Sequence, residues 1–182
     1  MRLTPEGGMD VTVTRNKQTA DGLDALIAGG TLTGKIGWTA SDIHIDPETG
    51  EIQLVAKSAL LNEFGYTKIS PSGLTLIRVP ARPFLRNTIR RQAYTWLNSM
   101  EAGAKKVLDG GVSFSTVLLK TTGEAIEDVR DTVRSRIEPP LAKLTLIKRN
   151  KYVRGAGIPT GTLPLYNTGH MMQTLTNEVT SR

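Results

Sequence analysis

The 182-residue chain contains no cysteine, only two histidines and few aromatics, 5% of its residues. The missing cysteine excludes disulfide staples, thiolate nucleophiles and cysteine-based zinc sites, and fits assembly in a reducing compartment. His44 and His170 are alone in their segments, no HExxH spacing exists, and neither has a second histidine nearby in the chain to complete a metal site. No apolar run approaches the roughly 20 residues of a membrane span, and the opening "MRLTPEGGMD" lacks the apolar centre of a signal peptide. The expectation is a chain made in the cytoplasm with no membrane partner. This length supports one well-buried core rather than two. Its 18 glycines and 9 prolines leave much of it to loops, and an apolar fraction of 38% with few rings is lean for a monomer.

Charge is abundant but uneven. Residues 78–154 hold sixteen Lys and Arg against seven acids, whereas the remainder has an excess of acids. Such a distribution points to a polyanion or an acidic partner surface, or to an ordinary solvated basic face.

Periodicity sets out the elements. "DVTVT" (10–14) and "GKIGWTA" (34–40) read as strands, and "QTADGLDALIAGG" between them as a short helix stopped by Gly29 and Gly30. "SDIHIDPETGEIQL" reads as a hairpin or protruding loop, about 41–52, turning at "PETG". "VAKSALLNEFG" places Val55, Ala59 and Leu60 on one helical face, after which residues 66–80 show no clear period. From Pro83 onward Leu85, Ile89, Ala93, Trp96, Leu97, Met100, Ala104 and Val107 recur at steps of three and four, predicting a long helix with a buried stripe, ended by "DGG" (109–111). Phe114, Leu118, Ala125, Ile126, Val129, Val133 and Ile137 predict a second, stopping by Pro139 and Pro140. These two helices are expected as antiparallel neighbours against a small antiparallel sheet, an α+β fold. A basic arm, about 138–166, then leads to a short helix near residues 167–168 and a final strand over "TLTNEV". The whole chain, 1–182, reads as one domain.

Few residues offer chemistry. Glu124, Glu127, Asp128 and Asp131 lie at helical spacing, better explained as a solvated face paired with Arg130 and Arg134 than as a metal site. "GAGIPTG" (155–161) lacks the lysine of a phosphate-binding loop and the hydroxyl that follows it. No catalytic constellation and no cofactor site emerges. Arg82, Arg86, Arg90 and Arg91 could meet phosphates without reading bases, so non-specific DNA binding by this basic helix and arm is one functional reading.

The stretch "VPARPFLRNTI" (79–89) is the most specific feature. Pro80 and Pro83 bracket Arg82 and hold the backbone extended before it turns into the helix. That elbow aims Phe84 and Leu85 at the core. Arg82 and Arg86, four apart, are then expected to project from the helix start as donors for a carboxylate on the same or a neighbouring subunit. Arg90 and Arg91 fall opposite the apolar stripe and are expected on an exposed or inter-subunit face. Lys143, Lys148, Arg149, Lys151 and Arg154 make the arm a second candidate for contacts with a neighbour.

In order, "KIGW", "NEFG" (62–65), "VPARPFLRNTI", "PPLAKLTLIKR" (139–149) and "LPLYNTGHMMQTLTNEV" (163–179) resemble the tailed-bacteriophage neck and tail-completion proteins, the virion morphogenesis and minor tail component group. That group carries a glutamate-phenylalanine-glycine element, an arginine-proline-phenylalanine-[leucine or methionine]-arginine helix entrance, a proline-proline-leucine after the second helix, and a proline-leucine then threonine-glycine before the last strand. The resemblance implies a structural virion protein, not an enzyme, forming a six-fold or twelve-fold homo-oligomeric ring at the head–tail junction. Its implied partners are head-side portal or adaptor proteins, tail terminator, tube or sheath proteins, and passing genomic DNA without sequence specificity. Its implied location is the virion neck or head-proximal tail.

Overall fold

The structure, a computed structural model, describes residues 2–3, 9–10, 21, 24, 32–45, 50–70, 73–135, 137–147, 163–165 and 169–181. The first expected strand beyond Asp10, the short helix closed by Gly29 and Gly30 apart from the helical Asp21 and Asp24, and most of the basic arm lie outside them.

The α+β class is as expected, and the elements run β1 (Arg2–Leu3), β2 (Met9–Asp10), β3 (Leu32–Gly37), β4 (Ile43–Ile45), β5 (Ile52–Leu54), α1 (Val55–Phe64), β6 (Tyr66–Ile69), β7 (Leu76–Val79), α2 (Phe84–Leu108), α3 (Phe114–Arg134), α4 (His170–Gln173) and β8 (Thr176–Ser181). Among the described residues the strands form four separate two-stranded antiparallel ladders rather than one sheet. β4 and β5 make the hairpin expected around "PETG". The stretch without a period proves to be a second hairpin, β6 with β7, in register Tyr66↔Val79 to Ile69↔Leu76.

α2 and α3 form the body. α2 closes at Asp109 with Gly110 at φ 71°, and Ser113 caps α3 by accepting the Thr116 N–H. The helices approach so closely near Gly103 that a Cβ there would stand 2.3 Å from Val117 Cγ1. On the other side of α3 lies the β3–β8 ladder, which ties residues 32–37 to 176–181.

This arrangement explains an asymmetry. α3, covered on two sides, buries eight residues; α2, touching α3 and at its start α1, buries only Phe84, Thr88 and Val107. The continuous buried stripe expected along α2 is therefore corrected: Ile89 is 51% and Leu97 61% exposed. The core gathers Ala59, Phe84, Ile126, Val129, Val133, Ile137, Met172 and Leu175, with Trp38 edge-on to Phe84 at 6.3 Å. No helix among the described residues is long and apolar enough to cross a membrane.

Candidate assembly surface at the proline elbow

α1 ends at Gly65, whose φ of 74° and close approach to the next segment both require glycine; a Cβ would lie 2.6 Å from the Ala81 nitrogen. This contact lays the end of α1 along residues 79–86. The Arg82 N–H donates to the Asn62 carbonyl at 2.8 Å. Glu63, 3% exposed, then reaches the start of α2: its carboxylate accepts the Leu85 N–H at 2.9 Å, the Arg86 N–H at 3.1 Å and Arg86 Nε at 2.9 Å. The first amides of a helix lack intrahelical partners, and Pro83 at the N-cap offers no side-chain acceptor. A carboxylate delivered from α1 does the capping, in the favourable field of the helix N-terminus.

The two prolines have separate reasons. Pro83 is the centre of a tight three-residue turn: φ is −75°, ψ 74°, and the Phe84 N–H donates back to the Arg82 carbonyl at 2.8 Å. That geometry is the inverse γ-turn, whose central residue needs no N–H. Pro80 follows β7 directly, where its ring ends strand pairing. Phe84 is fully buried and Leu85 packs on the core, as the elbow was expected to arrange.

Arg82 departs from expectation. Instead of projecting from the helix start it is 5% exposed and turned inward, donating from Nε to the Pro139 carbonyl at 2.9 Å and from Nη2 to that of Pro140 at 3.2 Å. Pro80 and Pro83 set the backbone so that the side chain follows the core rather than solvent. Burial lowers its pKa, opposed by Tyr66. Arg82 is thus a clasp between the elbow and the chain beyond α3, not an exposed contact. Arg86 does find a carboxylate, but within the same chain, on Glu63, while its guanidinium lies 4.6 Å from the Phe64 ring centre.

Arg90 and Arg91 are exposed as expected, and Arg91 Nη2 donates to Thr132 Oγ1 at 2.7 Å. They border an open groove of about 390 Å³ with Asn87, Thr132 and Glu138. Lys143 is exposed within a helical stretch, 143–147, of the expected basic arm. Lys148, Arg149, Lys151 and Arg154 lie outside the described residues. On α3, Glu127 pairs with Arg130 and Asp131 with Arg134, as read from their spacing, while Asp128 accepts Trp96 Nε1 at 2.7 Å. The histidines are corrected: the fold brings His44 and His170 together with ring centres 6.0 Å apart. Among the described residues, no group of three or more His, Asp or Glu is placed to hold a metal ion.

Large apolar side chains are uncovered at several places, among them Ile89, Tyr94 and Leu97 on α2; Ile43, Ile45, Ile52 and Leu54 on the β4–β5 hairpin; and Ile69, Leu74 and Leu76 at the tip of β6–β7. The β4–β5 set is a continuous face, since Ile43 opposes Leu54 and Ile45 opposes Ile52. Glu63 was missed by sequence reasoning, although the signal existed. Val55, Ala59 and Glu63 are four apart, so the acid continues the buried stripe of α1. Among protein-family models, curated proteins and solved structures, none matches this chain.

Proposed function

We propose that the protein is a structural virion component that assembles into a ring at the phage head–tail junction and acts by joining head to tail rather than by catalysis. The observation that carries this reading is the uncovered apolar face of the β4–β5 hairpin, with further exposed apolar side chains on α2 and β6–β7: contiguous apolar faces mark association surfaces. The residues carrying the family resemblance add support from another direction. "NEFG", "VPARPFLR" and "PPL" come together at one clasp, so the resemblance concerns segments that build the fold.

Non-specific DNA binding, the alternative, finds three of its four helix arginines in intramolecular bonds, Arg82 to the Pro139 and Pro140 carbonyls, Arg86 to Glu63 and Arg91 to Thr132. The purified chain is expected to have a native mass that is a ring multiple of its 19.8 kDa, visible as annuli by negative-stain microscopy, with weak retention of arbitrary duplex. A strictly monomeric protein at all concentrations, or duplex binding that falls steeply with salt as multiple phosphate contacts require, overturns the assembly reading.

A further inference from the structure

Beside the clasp lies a cavity of about 180 Å³ bordered by His44, Ser58, Asn62, Arg82, Leu165 and His170. Its described lining contains two imidazoles and a guanidinium and no acid. A buried cation is costly unless paired, and among the described residues Arg82 has no carboxylate partner, only the two proline carbonyls.

Those two carbonyls take up one edge of the guanidinium. Arginine has five N–H donors in a planar fork. Arg82 commits Nε–H and one Nη2–H along one edge. The two hydrogens of Nη1 and the second of Nη2 remain, and they include the end-on pair whose spacing fits two oxygens of one carboxylate or phosphate. Among the described residues no side-chain nitrogen is sealed from solvent without a partner. Nη1 makes no hydrogen bond among the described residues, and Arg82 is one of the residues that line the cavity. The neighbouring wall is already organised: Asn62 Nδ2 donates to the Ser58 carbonyl at 2.8 Å, and His170 Nε2 donates to the Ile43 carbonyl at 2.9 Å.

We infer that this cavity is a binding site for one small oxyanion, a carboxylate or a phosphate group, held bidentate on the end-on edge of Arg82 with polar support from the His44 side of the wall. The inference does not depend on the assembly reading. A free anion and a carboxylate presented by another copy of the chain share this chemistry.

The test uses the full-length protein with inorganic phosphate, acetate and, at matched ionic strength, chloride. Phosphate or acetate is expected to raise the melting temperature in a saturable way that chloride does not reproduce, since a ligand of the folded state stabilises it by mass action. Arg82→Ala removes the clasp along with the anion contact, so the discriminating variants are Ser58→Asp, which places a fixed carboxylate on the wall, and His44→Gln. Ser58→Asp is expected to abolish the anion-specific shift and His44→Gln to weaken binding several-fold, both in folded protein. If another copy supplies the carboxylate, acetate lowers the native mass; if the ligand is free, the mass stays constant while the melting temperature rises. The proposal is overturned if neither melting temperature nor mass responds beyond the chloride control, or if folded Ser58→Asp protein binds phosphate as wild type does.

Discussion

Glu63 holds the start of α2 from outside that helix, by three hydrogen bonds from Leu85 N–H, Arg86 N–H and Arg86 Nε. Charge-assisted bonds of this kind contribute more than neutral ones, and an acceptor lost at a helix start leaves its amides unsatisfied. Glu63→Ala is expected to lower stability by about 2–3 kcal/mol in urea unfolding, whereas Arg86→Ala, removing a half-exposed partner, is expected to cost under about 1 kcal/mol. Equal losses would place the stabilisation in the ion pair rather than the cap. Arg82 separates from Arg86 by the same logic. Its Nε and Nη2 reach two carbonyls at once, a geometry that lysine's single ammonium does not reproduce, so Arg82→Lys is not a conservative change.

At the level of elements, α2 and α3 meet at Gly103. A Cβ at 2.3 Å from Val117 Cγ1 cannot be accommodated without displacing the Val117 side chain or one of the helices. Alanine favours helix over glycine by about 1 kcal/mol, yet Gly103→Ala is expected to destabilise by about 1–3 kcal/mol through overpacking. Adding Val117→Ala should recover part of the loss, measured by a double-mutant cycle; strict additivity would show that the helices are not in contact there. Both long helices, α1 and the β4–β5 hairpin were legible in the sequence because each has its period and its stop signal within one short window. The β6–β7 hairpin was not: Thr67, Lys68, Ile69, Leu76, Ile77 and Arg78 are all exposed, so no polar and apolar alternation marks a buried face. The β3–β8 pairing joins distant parts of the chain, which no local pattern records. At the elbow, the spacing of Arg82 and Arg86 was legible but their directions were not, because those follow from where Glu63, Pro139 and Pro140 arrive. Periodicity marks an apolar face on α2 without saying what covers it.

For the whole molecule, that uncovered face is the property that matters. Substituting an exposed apolar residue alters the monomer little, so Ile89→Lys with Leu97→Lys is expected to shift the unfolding free energy by under about 1 kcal/mol while, under the ring assembly proposed above, lowering the native mass toward that of one chain. Retention of the oligomer by the folded variant would transfer the interface to the hairpins. The clasp of Arg82 on Pro139 and Pro140 has a consequence of another kind. α2, 25 residues long, extends about 37 Å, and α3 returns beside it, so residues 82–140 form a circuit whose two ends are fastened together. Covalent continuity at the far tip is then redundant. A protease that cuts between Gly110 and Gly111 is expected to leave the native mass unchanged and to yield two fragments only after denaturation.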